Sequence, residues 1–272
     1  MNTLTLDSLP AIDHAFRPGI SLERLRTQAP AAFAENAFGT VSPTYRFIST
    51  RELVAALLEA GFAATEARQA RARGERAGFA RHLLRFRPLR HEVILDEALP
   101  EIVVVNAHDG TSAYQVRAGL YRPICTNGLL TKLGDFGAIY VPHRGRVVAN
   151  IVEAAQRILS QFEPVTVAVK GMAATHLSDR AQLEFVDQAV AIRWRGEKPV
   201  LPRRLLDVRR PADVGDDLWR VYNTVQENLI RGGVTIRAPS GRLGRTRGIR
   251  AIREDVRINT QLWQAAVERI AA

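Results

Sequence analysis

The sequence predicts an α+β protein: an antiparallel β-sheet of hairpins over about residues 65–143, packed with helices, then a mainly helical C-terminal half. Three observations carry that prediction. Apolar residues recur at helical spacing over 50–60 and repeatedly after 147, the period falls to two between those stretches, and Gly-rich or Asp-Gly turns separate the period-two runs. With 272 residues, 46% of them hydrophobic, the chain is long enough for a sizeable core in one or two domains. It divides into an N-terminal arm with a short helix (1–40), a helix with the sheet and a long helix (41–163), and a helical region (164–272) carrying a basic Gly-rich loop at 232–248.

Taken in order, residues 1–20 with Pro10 and Pro18 read as irregular. A short helix starts at Ser21 and stops before Pro30. Ser49 or Thr50 caps the next helix, Glu52 lies in its first turn, and Leu53, Ala56, Leu57 and Ala60 form its stripe before Gly61. Residues 65–73 and 79–87 alternate as the two strands of a hairpin around the turn chemistry of 74–78. The run 101–108 with Ile102-Val-Val-Val105 is a strong strand, Asp109-Gly110 is a hairpin signal, and 112–124 returns; 137–143 adds a short strand. Helices follow over 147–162, kinked or ended by Pro164, from Ser178 through Leu183, Val186, Val190 and Trp194, and over 216–231 and 254–272.

No run reaches the roughly 18 apolar residues that span a bilayer, and the first 25 residues lack a secretory signal, so the expectation is a soluble cytoplasmic protein. A lone Cys125 leaves no internal disulfide and no Cys-cluster zinc site.

The net charge is +10, with 35 Arg against 3 Lys. Its distribution says more than its sum. Residues 68–90 carry +7, 193–210 carry +5 and 237–257 carry +5, leaving −7 on the remaining 210 residues. Clustered cations on a mildly acidic body fit a polyanion partner; solvated surface clusters are the plain alternative.

Within 79–87 the alternation puts Phe79, Arg81, Leu83, Arg85 and Arg87 on one strand face, opposite the more core-like Ala80, His82, Leu84 and Phe86. Arginines beside an aromatic suit single-stranded nucleic acid, because the planar guanidinium forks onto phosphate while a ring stacks on a base. Arg117 and Arg122 lie on a neighbouring strand with Tyr121, and Lys132 follows it. Arg245 and Arg247 in the Gly-rich loop lead into Arg250 and Arg253 on the last helix, a second basic contact or a subunit contact.

Catalytic readings are thinner. Cys125 with His108 and His143 could form a nucleophile pair, although a single cysteine at a strand end is more often a small buried residue. Asp109, Asp135, His143 and Glu153 could converge on a metal, but no two histidines show helical ligand spacing. The glycines at 231–244 lack the Gly-Lys-Ser/Thr of a phosphate loop.

Two stretches carry a resemblance: Gly119-Leu-Tyr-Arg-Pro-Ile-Cys125-Thr-Asn127-Gly128-Leu129, and Asp216-Asp-Leu-Trp219-Arg-Val-Tyr-Asn223-Thr-Val-Gln226-Glu227-Asn228-Leu-Ile-Arg231-Gly-Gly233. With the turn at 106–111 and the tail at 245–259, they resemble the phage- and plasmid-like family of domain-of-unknown-function 932, over about residues 40–265. That resemblance implies a mobile-element context and brings no catalytic residues. By layout alone, one helix, a sheet of basic hairpins and a long helix is also similar to single-strand annealing proteins of the Red-beta, ERF and Rad type, an analogy of fold.

Together these readings give a single-stranded DNA-binding, strand-annealing protein acting in recombination without ATP, metal or other cofactor. RNA remains open as the ligand, and the expected assembly is a homo-oligomeric ring or filament. Arg81, Arg85, Arg87, Arg117, Arg122, Lys132, Arg245, Arg247, Arg250 and Arg253 are the expected phosphate contacts, with Phe79 or Tyr121 stacking on bases. The alternatives are a metal-dependent nuclease and, ranked last, a protein-directed module such as an anti-restriction factor.

Overall fold

Ser21, Ser49, Ser178 and Asp217 each start a helix by accepting a backbone N–H two or three residues ahead, at 3.0–3.3 Å. The helices they open are α1 (Leu22–Gln28), α2 (Thr50–Glu59), α5 (Asp179–Trp194) and α6 (Leu218–Arg231). These side chains satisfy donors that a helix cannot satisfy within itself. The computed structural model describes residues 19–39, 41, 43, 45–89, 98–110, 112–122, 125–130, 138–195, 201–237 and 242–270.

The sheet has six antiparallel strands: β1 (Phe62–Gln69), β2 (His82–Pro88), β3 (Leu99–Asn106), β4 (Tyr114–Arg122), β5 (Cys125–Leu130) and β6 (Ile139–Val141). The first four lie in sequence order, and β4 then pairs with β6 along its first half (Tyr114↔Val141) and β5 along its second (Gly119↔Leu130). The expected hairpin is present as β1–β2, with Phe62 opposite Pro88 and Gln69 opposite His82. Its connection differs from the expectation. Residues Gly74–Phe79 form a 3-10 helix, so Phe79 precedes the strand and its ring lies 5.3 Å from Phe38. The Asp109-Gly110 pair also lies in a wider connection than a two-residue turn, with β3 ending at Asn106 and Gly110 at a φ of 74°. Strand β5, which pairs back on β4 from Cys125 to Leu130, is a further strand that the sequence does not predict.

Alternation gives the sheet two different faces. Leu84, Phe86, Ile102, Val104, Val116 and Leu120 enter the main core with Leu53 and Leu57 of α2, and with Ile151, Ala155 and Ile158 of α3 (Val147–Ser160). The opposite face carries a second, small core of Leu83, Val103 and Val105 beneath Ile252 of α7 (Ile252–Ile270). The main core runs on without a break through Trp219 and Tyr222 of α6 to Trp263 and Ala266 of α7.

Helix α3 ends at Ser160, before Pro164, and Pro164 then lies in the first turn of a further helix, α4 (Glu163–Ala174), which the sequence does not predict. Proline has no N–H to lose there, so the first turn tolerates it. Helix α6 is buried on all sides, polar residues included: Asn223, Gln226, Glu227 and Asn228 are at most 2% exposed. Each is bonded. The Asn223 amide donates to the Trp219 carbonyl at 2.7 Å and the Gln226 amide to Asn259 at 2.8 Å. Asn228 donates to the Leu205 carbonyl at 2.9 Å, and Glu227 takes a two-pronged pair from Arg210 at 2.8 and 2.9 Å.

The Gly-rich stretch is an ordered hairpin over its described part. Strands β7 (Thr235–Arg237) and β8 (Leu243–Arg245) pair antiparallel, and Gly233 and Thr246 bond at 2.8 Å below them. Gly232 and Gly248 allow that closure: a Cβ on Gly232 would come within 2.6 Å of Arg247 backbone, and one on Gly248 within 2.7 Å of the Arg231 carbonyl. Among the described residues no helix is long and apolar enough to cross a membrane.

Candidate nucleic-acid interface

The arginines singled out from the sequence meet three different environments, two on the second sheet face and one in the main core. At one end Arg85 is 1% exposed and lies 2.7 Å from Glu101 and 3.3 Å from Glu66. Burial acts to lower its pKa; Glu101, Glu66 and Asp255 outweigh burial and raise it. Arg87 gives its Nε to the other oxygen of Glu101 at 2.9 Å and stacks over Tyr121, with its guanidinium carbon 3.3 Å from the ring centre. One fully buried carboxylate therefore neutralises two arginines. Arg85 is sealed from any phosphate, and Arg87 and Tyr121 direct their charge and ring face at each other and at Glu101.

Arg122 faces the other way. It is 0% exposed, paired with Asp213 at 2.9 Å and 5.6 Å from the Trp219 ring, so it joins β4 to the start of α6 within the main core. Its expected place on a binding surface is thus corrected: position 122 shares its strand face with Val116 and Leu120, which point into the core. Lys132 and Asp135 lie outside the described residues, as do the side chains of 125–130, Cys125 among them.

The third environment is open. A cleft of about 530 Å³ lies between the residue that precedes β2, strands β3, β4 and β6, and the first turns of α7. Arg81, Arg117, Arg253 and Arg257 line it, with Gln115, Ser112 and Tyr140. Arg257 is tied to Glu254 at 2.8 Å, and Arg117 donates to Gln115 at 3.2 Å. Among the described residues Arg81 and Arg253 form no ion pair. Burial lowers the Arg81 pKa first, the facing charge of Arg253 lowers it further, and Asp109 opposes both. Burial also lowers Arg117. Two guanidiniums that repel across a half-buried cleft are relieved when an anion sits between them. Tyr140 is 62% exposed at the rim, a ring face open for stacking.

From this cleft the chain runs back along an arginine ridge. Arg242, Arg245, Arg247, Arg250 and Arg253 are exposed and form no ion pair among the described residues. Arg245 also lines a shallower pocket of about 340 Å³ with Arg204 and Arg209. Elsewhere arginines are consumed by the fold. Arg193 donates to the Leu229 carbonyl in the last turn of α6 and to the Arg247 carbonyl beyond β8, and Arg209 binds Asn228 and the Gly232 carbonyl.

Next to Arg81, and packed against Tyr45 and Phe47, three buried histidines cluster. His143 sits 2.8 Å from Asn106 and stacks on Tyr45 at 4.4 Å; the His82 and His108 rings are 5.0 Å apart. Burial lowers His82 to about 4 and His108 to about 3, and lowers His143 as well. These rings are neutral core histidines at ordinary pH. Asp109 is near them, while Glu153 lies exposed on α3. Among the described residues no three His, Cys, Asp or Glu side chains are placed to hold a metal ion.

Helical spacing already places Arg257 on one face with Arg250 and Arg253. One of the interface residues escapes the sequence reading. Tyr140 has a signal: it alternates with the inward-facing Ile139 and Val141 in a strand that the periodicity locates.

Comparison with known proteins bears on the whole chain. A family model described as "Domain of unknown function (DUF932)" matches residues 37–263. UPF0380 protein YafZ and UPF0380 protein YfjQ of Escherichia coli (strain K12) are each 36% identical to the chain over 249 residues, covering 91% of it and 90% of each relative. No solved structure matches.

Proposed function

The chain belongs to the DUF932 family, and we propose that this member binds single-stranded nucleic acid, DNA in the first instance, in the cleft between the second sheet face and α7. One observation carries the reading: Arg81 and Arg253 face each other in a cleft that, among the described residues, has no carboxylate in its lining and presents Tyr140 at its rim. The cleft and the open ring favour a flexible strand with exposed base faces over a rigid duplex. The ridge from Arg242 to Arg253 continues the positive track. Neutralising one backbone lowers the repulsion that opposes pairing with a complement, so annealing in the cytoplasm, within a homo-oligomer and without ATP or metal, extends the same reading.

The test is binding of a labelled single strand of roughly 40 nucleotides, and of its duplex, across a salt series with and without magnesium. The expected result is a salt-steep, magnesium-independent preference for the single strand. Arg81→Ala with Arg253→Ala reduces the salt slope by about 1.4, because each phosphate neutralised on a single strand adds about 0.7 to it. Absence of binding at low salt removes the reading, and magnesium-dependent cleavage replaces it with a nuclease.

A further inference from the structure

The cleft does not stop at Arg257. Arg257 and Gln261 line both it and a second groove, of about 470 Å³, between α5 and α7, so the two adjoin along α7. The lining changes from one to the other. Among the described residues, four arginines and no carboxylate line the cleft, whereas the second groove sets Arg195 and Arg257 against Glu268 and adds the amides of Gln188, Gln261 and Gln264 and the small apolar surface of Ala191, Ile192 and Ala265.

The amides are held. Gln188 accepts from Arg269 at 2.6 Å and Gln261 accepts from Arg257 at 2.8 Å, so their NH2 groups remain to donate. Gln264 donates to Glu268 at 3.0 Å, so its carbonyl oxygen remains to accept. Phosphate takes donors alone; base edges need donors and acceptors together, and base faces need apolar surface.

Resting on the reading above, we propose that this second groove receives the bases of the bound strand while the arginine cleft holds its backbone, making α7 the track. From Ile252 to Glu268 the helix spans about 24 Å at 1.5 Å per residue. That accommodates about seven nucleotides at the B-form rise of 3.4 Å, and fewer if the strand is stretched.

The experiment is competition binding with single strands of roughly 3 to 16 nucleotides, beside length-matched abasic deoxyribose-phosphate oligomers, which keep the charge and lack the bases. Affinity for base-bearing strands rises steeply to about seven nucleotides and then flattens, and abasic oligomers bind about tenfold more weakly or worse. Gln188→Ala with Gln264→Ala narrows that gap to about threefold and leaves abasic binding unchanged, which also shows that the variant is folded.

Equal binding of abasic and base-bearing oligomers, still weakened and made less salt-dependent by Arg81→Ala with Arg253→Ala, overturns the base track and spares the single-strand reading. An undiminished gap in the glutamine variant places the bases elsewhere and overturns it too. Failure of every oligomer to bind overturns both.

Discussion

Arg81, the residue before β2, and Arg85 within it lie four residues apart on the same side of the sheet, yet they have opposite fates. Arg85 is enclosed by Glu66, Glu101 and Asp255, while Arg81 faces Arg253 across an open cleft. The residue type and the side of the sheet are shared; the difference is which segments lie above them. Over Arg85 the structure brings carboxylates from β1, β3 and α7. Over Arg81 it brings another arginine. The teaching is general: a run of arginines measures charge in the chain, and the displayed charge is what remains after the fold has used its share.

The largest effect that tests this comparison is at the paired end. Glu101→Gln removes the carboxylate shared by Arg85 and Arg87 and leaves a buried guanidinium undercompensated. Stability should fall by roughly 3–5 kcal/mol in urea unfolding. A loss under about 1 kcal/mol would mean that Glu66 and Asp255 suffice, and that the pairing is looser than its distances indicate.

Acid probes the neighbourhood of the open end. His82 and His108 are held near 4 and 3, below the ordinary value of 6.5, so the unfolded chain takes up protons first as pH falls. Their contribution is complete above 6.5 and declines as pH drops through the window from 6.5 to those folded values. By pH 4 the His82 share of the loss is roughly 3 kcal/mol. His82→Gln should flatten that part of a stability–pH profile; a profile parallel to that of the unsubstituted protein would show that His82 is not buried neutral.

Next in size is the contrast in binding. Arg81→Ala should lower the salt slope by about 0.7 and leave the melting midpoint nearly unchanged, whereas Arg85→Ala should lose stability by about 3 kcal/mol. If the two variants behaved alike, the distinction between paired and open ends would fail. The smallest effect provides the control. Ser49→Ala deletes the α2 cap bond to Arg51 and should cost about 1 kcal/mol with no change in nucleic-acid binding.

Much of this molecule is legible from local pattern. The caps at Ser49 and Ser178, the stripe on α3, the β1–β2 hairpin and the face membership of Arg81 and Arg85 follow from periodicity and from the chemistry of helix ends. Local ambiguity explains the misses. Pro164 stops one helix and equally well starts another, and the turn chemistry of 74–78 fits a 3-10 helix as well as a tight turn. Arg122 is the more instructive case. Periodicity locates its strand, but its face is shared with Val116 and Leu120, and its partner Asp213 is 91 residues away.

By itself, then, the sequence determined which residues are helical or extended, which side chains share a face, and where positive charge is concentrated. Each depends on spacings of two to four residues, a range over which backbone geometry dictates the outcome. Only the tertiary structure decided which arginines are tied into ion pairs and which remain available. That depends on contacts such as Arg68 with Asp255, 187 residues apart, where a carboxylate cancels a charge only by arriving within a few ångströms of it.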